Sequence, residues 1–218
     1  MSTSLFFIFY LAILLFSVII HEISHGYMAK HLGDPTAEAA GRLTLNPIAH
    51  IDPFGSIILP LLFYFSGLPG LAWAKPVPYN PNNLYKDFKY GPLKVALVGP
   101  LSNIFLLVVF GLLARVAVAY GAAPFALFFG LVALVNALLA IFNLVPIPPL
   151  DGSKILPLII PGFDVERIGF MGIFLVFAFV YFFSSIIFYL ASHLFAFVAG
   201  GGATALMCTS GLLSSACF

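Results

Sequence analysis

From Pro124 to Asn143 and from Ile168 to Leu190 the chain carries no charged residue, and Leu5 to His31 and Leu93 to Tyr120 come close to the same condition. About 20 apolar residues is what an α-helix needs to cross a bilayer, where every backbone N–H and C=O must be satisfied within the segment. The runs are continuous, not alternating, which excludes a transmembrane β-barrel. Composition agrees. The sequence is 62% apolar and 8% charged, whereas a soluble domain carries about 25% charged residues, so too little polarity remains to cover a water-facing surface. The expectation is an all-α polytopic membrane protein, a bundle of about four to five transmembrane helices. Between the first two lies a small strand and re-entrant loop region. Residues 1–218 are read as one membrane-embedded domain, with a core at 5–165 and C-terminal helices at 166–218.

The stretch from Leu194 to Phe218 is uncharged but interrupted by Gly200, Gly201 and Gly202. It reads as a fifth span, a broken hairpin or an extension of the fourth. The apolar run from Leu5 to Ile20 lacks the basic start and small-residue cleavage site of a signal peptide, so it reads as the first half of a retained helix. The net charge of +1 gives no reason to expect a nucleic-acid partner. Cys208 and Cys217 carry no partner motif.

The middle of the chain differs in kind. Residues 32–54 are punctuated by Gly33-Asp34-Pro35, Gly41, Asn46-Pro47 and Asp52-Pro53, a pattern of small strands and turns. Residues 55–74 are apolar but broken by Pro60, Gly67, Pro69 and Gly70, and 75–92 read as a polar interfacial loop. Arg42, Lys75, Lys86 and Lys89 lie between the first two strong spans, with Lys30 and Lys94 at their facing ends, and Lys154 and Arg167 lie between the third and fourth. The positive-inside rule places both stretches in the cytoplasm and the N-terminus outside. Residues 55–74 must then dip into the membrane and return.

His21-Glu22-Ile23-Ser24-His25 forms an H-E-x-x-H motif at the polar end of the first span. Residues four apart share a helix face, so two imidazoles can grip one metal ion. Glu22, beside the first of them, can take a proton from a metal-activated water and pass it to a leaving amine. Three ionisable residues within a membrane helix are costly, and a metal would compensate them. Two imidazoles and a water leave tetrahedral zinc one ligand short. Asp151 is the candidate, where Asn143-Leu144-Val145-Pro146-Ile147-Pro148-Pro149-Leu150-Asp151-Gly152 ends the third span. By helix parity it arrives on the same membrane side as the histidines. The other reading of Asp151-Gly152 is a turn.

These pieces resemble the site-2 protease family of intramembrane zinc metalloproteases. The likeness rests on the H-E-x-x-H motif, Leu150-Asp151-Gly152 and Gly99-Pro100-Leu101-Ser102-Asn103, with Gly33-Asp34-Pro35 and the Gly41 to Pro53 stretch beside them. It covers roughly residues 5–165 and is strongest to short members without a PDZ domain. The resemblance implies one Zn2+ per chain held by His21, His25 and Asp151, with Glu22 as base. It implies as partner the transmembrane segment of a protein substrate, cut near the cytosolic face of a prokaryotic cell membrane. It further suggests that Asn103 and Asn143 position the substrate backbone or stabilise the oxyanion; the other reading is hydrogen bonding between helices. A strand over 41–58 would bind the unwound substrate by strand addition.

His50 lies where a loop could fold over the metal, as a substrate contact or an extra ligand; the alternative is a polar loop residue. His31 reads as interfacial and His193 as a boundary residue. Two rival functions share the composition. A metal-ion transporter would string polar residues through the full bilayer depth, whereas here they gather near one side. An inactive scaffold that binds membrane helices would have no need of Glu22.

Overall fold

A computed structural model describes residues 3–66, 74–160, 162–163 and 165–213. Four helices are long and apolar enough to cross a membrane, counted among the described residues. They are α1 (Thr3–Leu32), α2 (Gly91–Ala119), α3 (Ala123–Asn143) and α4 (Val165–Thr209). The chain forms two compact units, Met1–Gly99 and Pro100–Phe218, with α2 running through the boundary.

In the first unit, α1 ends at Gly33, whose φ of 116° is open to glycine. Gly33 N–H bonds the Lys30 carbonyl and Asp34 N–H the Ala29 carbonyl. This paired closure satisfies the last carbonyls of the helix, and Pro35 prevents its continuation. The Tyr85 ring lies where a Cβ at position 33 would stand. Residues 74–90 are a loop without regular helix apart from one 3-10 turn, Pro81–Asn83. Leu84 is fully buried with Ala29 and Leu32 of α1 and Val95 of α2. The loop thus packs the polar end of α1 against the start of α2.

The small strands expected over 32–54, and the edge strand over 41–58, do not form: among the described residues there is no strand. Thr36–Ala39 is one α-helical turn, Pro47–Ala49 a 3-10 turn capped by the Asn46 side chain, and Pro53–Ile58 a π-helical turn running into a short helix, Leu59–Ser66. Local capping won over alternation. Asn46 accepts from Ile48 N–H and Asp52 from Gly55 N–H, so each side chain closes a turn where the backbone would otherwise seek a strand partner.

The return expected of 55–74 has direct support from its ends. Lys75 N–H donates to the His50 carbonyl at 2.9 Å, and the Arg42 guanidinium holds the Lys75 carbonyl at 2.7 Å. A segment crossing once would part its ends by about 30 Å; here His50 and Lys75, which flank the segment, share a hydrogen bond. Residues 67–73 lie outside the described residues.

In the second unit, α3 is the buried helix. Ala133, Leu134 and Ala137 pack with Leu107 and Ala114 of α2 and with Ala191, Phe195, Ala199, Ala203 and Met207 of α4. The alanines let the helix backbones approach closely, the packing mode that membrane helices use. The first half of α4 turns Met171, Phe174, Tyr181 and Phe182 outward, as lipid contact requires. Of the three readings of the C-terminal stretch, the extension is the one found. The α4 helix runs 45 residues through the glycine triplet. Gly200 takes a φ of 80° in mid-helix, and the Arg115 side chain donates to the Phe197 carbonyl at 3.2 Å where that residue interrupts the ladder. Cys208 is disulfide-bonded, and Cys217 lies outside the described residues.

Candidate metal centre

His21, Glu22 and His25 come together on the polar third of α1, their ligand atoms all within 4.8 Å of one another. Helical spacing does most of this, since a four-residue step brings His25 under His21. The two rings stand edge to face at 87°, and their Nε2 atoms are 3.0 Å apart. Both histidines are buried, His21 to 5% exposure and His25 to 8%.

The second wall of the site is α2. His25 Nδ1 lies 2.6 Å from the Val95 carbonyl. A carbonyl only accepts, so Nδ1 carries the proton and Nε2 presents its lone pair toward His21. One turn further along α2, a Cβ at Gly99 would collide with the His25 ring and lie 2.7 Å from His21 Cε1. The imidazoles occupy the space that a side chain at 99 would take. Neither Val95 nor Gly99 was singled out for this role from sequence, although Gly99 opens the Gly99-Pro100-Leu101-Ser102-Asn103 motif.

Glu22 reaches a different neighbour. Its Oε2 accepts from Val77 N–H at 2.8 Å, in the irregular stretch between Pro76 and Pro78. The flanking prolines have no N–H to offer, so Val77 is the donor this stretch can supply. That contact had no sequence signal beyond the proline spacing.

The donor set fits zinc. Two nitrogens at about 2.0–2.1 Å from one Zn2+ in tetrahedral geometry stand about 3.3 Å apart. The observed 3.0 Å corresponds to an angle of about 94°, which a separation of about 0.3 Å more would bring to tetrahedral. The backbone carbonyl behind His25 is the outer-shell partner that a metal-bound histidine ordinarily has.

The remaining expected site residues have their own surroundings. His50 is fully buried, and its Nε2 donates to the Thr44 carbonyl at 2.8 Å, which ties the 44–50 turn together. It does not belong to the His21, Glu22 and His25 group. In the second unit, Asp151 opens a 3-10 turn, Asp151–Ile155, behind a cis Pro148-Pro149 bond. Gly152 packs so closely on the Leu144 and Val145 carbonyls that no side chain would fit. Asn103 is fully buried and donates to Asn136 Oδ1 at 2.9 Å, a bond between α2 and α3. Asn143 donates to the Leu139 carbonyl within its own helix at 3.0 Å.

Among curated proteins, the chain is 38% identical over 155 residues to "Putative zinc metalloprotease YwhC" of Bacillus subtilis, which covers 68% of this chain and 67% of that protein. It is 33% identical over 149 residues to "Putative zinc metalloprotease Rip2" of Mycolicibacterium smegmatis, covering 67% of this chain and 55% of that one. The protein of the same name from Mycobacterium tuberculosis is 33% identical over 144 residues, 63% of this chain and 52% of its own length. The chain thus spans about half the length of the Rip2 relatives it matches. No family model and no solved structure matches it.

Proposed function

The chain belongs to the zinc metalloprotease family of these bacterial relatives, and from that premise we propose that it is a site-2-type endopeptidase, hydrolysing peptide bonds inside the membrane. The observation that carries the proposal is the place of the His21, Glu22 and His25 cluster: it lies within α1, a helix long and apolar enough to cross a bilayer. A metalloprotease acting on soluble proteins has no reason to bury its centre in such a helix.

His21 and His25 would hold the ion through Nε2, and Asp151 is proposed as the third protein ligand. Zinc there supplies a nucleophilic water at neutral pH and polarises the scissile carbonyl. Glu22 performs the proton work. Val77 N–H holds Oε2, which leaves Oε1 to take a proton as the water oxygen bonds to the carbonyl carbon. Glu22 then delivers that proton to the amide nitrogen as the C–N bond breaks. The second N–H of the Asn143 carboxamide is proposed to reach the substrate backbone. Asn103 is proposed to do the same while its bond to Asn136 fixes the carboxamide between α2 and α3.

The substrate class is the transmembrane segment of a membrane-anchored protein, unwound near the site and cut toward the cytoplasmic face of a prokaryotic cell membrane. Basic residues concentrated between α1 and α2 support that orientation. The test is metal analysis of the purified protein together with cleavage of a transmembrane substrate in liposomes. Zinc near one per chain and cleavage lost in Glu22→Gln are expected. Equal cleavage by wild type and Glu22→Gln overturns the mechanism. Loss of zinc in His21→Ala but not in Asp151→Ala removes Asp151 from the ligand set.

A further inference from the structure

One face of α1 carries Leu11, Leu14, Leu15 and Val18, then His21, Glu22 and His25, at the three- and four-residue steps that keep a stripe aligned. The lower part of the stripe is the metal centre. The upper part lines a largely apolar, half-open hollow of about 220 Å³, bounded on its other side by Ile51, Ser56, Ile57 and Ala74. The far wall belongs to the two ends of the returning segment. Ile51 follows His50, whose carbonyl bonds Lys75, and Ala74 lies three residues before Val77, which bonds Glu22. Glu22 does not line the hollow, but the same helix face and the same loop that form its walls lead to that carboxylate.

Its size and position identify what it would take. A dry cavity of about 150 Å³ lined by aliphatic groups accepts a benzene ring, so this hollow holds one branched aliphatic or aromatic side chain. Val18 lies about 6 Å and Leu15 about 10 Å along α1 from Glu22. An extended peptide advances about 3.3 Å per residue. The side chain above the hollow would then belong to the residue two or three positions to the membrane side of the bond at Glu22. A lipid acyl chain is the competing apolar occupant, but the wall anchored to Glu22 favours a chain whose backbone is already held at the catalytic residue.

We infer that this hollow is a specificity pocket for one large apolar side chain of the unwound substrate, resting on the proteolytic reading above. It selects where along an apolar segment the cut falls, a choice that the metal centre alone cannot make. The test uses the full-length protein in liposomes and transmembrane substrates that differ only in Phe or Ala at the second and third positions to the membrane side of the cut. Val18→Phe fills the hollow, and its Phe-to-Ala preference in kcat/KM is expected to fall about tenfold or more. Leu15→Ala enlarges it and is expected to move the same ratio the other way. Glu22-dependent cleavage with the ratio unchanged in both variants overturns the pocket and leaves the protease standing. Equal loss on both substrates that follows lipid chain length assigns the hollow to an acyl chain and also overturns it. Cleavage that does not depend on Glu22 overturns the protease itself.

Discussion

His25 Nδ1 donates to the Val95 carbonyl at 2.6 Å, so the orientation of a proposed metal ligand on α1 is set by the backbone of α2. No substitution at position 95 deletes a carbonyl, which moves the sensitive position one turn along to Gly99. A Cβ there meets His25 and His21 ring atoms, and rigid helix backbone on both sides leaves the rings to yield. Gly99→Ala is expected to weaken zinc binding about 10- to 100-fold, the usual cost of disturbing a metal's outer shell, while the helix content by circular dichroism stays near wild type. Zinc retention against a graded chelator series measures it. Retention equal to wild type would mean that the rings shift freely.

The contact between Val77 N–H and Glu22 Oε2 at 2.8 Å makes a separate prediction. Val77→Pro removes the donor from a proline-flanked stretch, where Pro78 already keeps residue 77 out of the helical region, so the backbone path can be kept. Loss of one hydrogen bond that orients a catalytic group is expected to lower kcat about tenfold with zinc content unchanged. Zinc loss in parallel with activity would show instead that the stretch supports the whole site.

The four long helices and the H-E-x-x-H face were legible because each depends on local rules, apolar length for the helices and four-residue spacing for the motif. The residues that complete the site were not. Val77 and Val95 act through backbone atoms, which no residue type encodes, and Gly99 acts by lacking a side chain. Residues 41–58 misled because Arg42-Leu43-Thr44-Leu45 alternates like a strand, although Leu43 packs on Gly26 while Leu45 stays 63% exposed. The side-chain caps at Asn46 and Asp52 then decided the turns. Within α4 the glycine triplet looked like an interruption, yet the spacing of Ala191, Phe195, Ala199, Ala203 and Met207 keeps one face buried through it.

Asp34 holds the loop that carries Val77. Fully buried, its carboxylate accepts from Asn80 N–H at 2.6 Å, Asn83 Nδ2 at 3.0 Å and Thr36 N–H at 3.1 Å. Burial pushes its pKa up, but the hydrogen bonds from Thr36, Asn80 and Asn83 outweigh it and leave the group below its usual value of 3.8. A depressed carboxylate stabilises the fold above the unfolded-state value, and that contribution drains away as pH falls below about 3.8 toward the lowered folded-state value. Asp34→Ala strands several donors and is expected to destabilise the first unit by about 3 kcal/mol. Thermal unfolding in detergent measures it. The part of the acid sensitivity below pH 4 that is due to Asp34 should be missing from Asp34→Asn.

Gly200 and Gly201 are neighbours in sequence and opposites in tolerance. Gly200 has a φ of 80°, and a Cβ there would lie 3.0 Å from the Arg115 guanidinium. Gly200→Ala carries a left-handed backbone penalty of about 1–2 kcal/mol. It also presses on the arginine that serves the Phe197 carbonyl. At Gly201 a Cβ would meet nothing within 4 Å and the backbone is not left-handed. Gly201→Ala is therefore expected to be neutral, or stabilising by about 0.5–1 kcal/mol through helix propensity. In the same detergent the melting temperature of Gly200→Ala should fall below wild type, while that of Gly201→Ala should match wild type or exceed it. Equal melting temperatures would mean that α4 does not need its left-handed residue, and that Arg115 caps the Phe197 carbonyl without the break at Gly200.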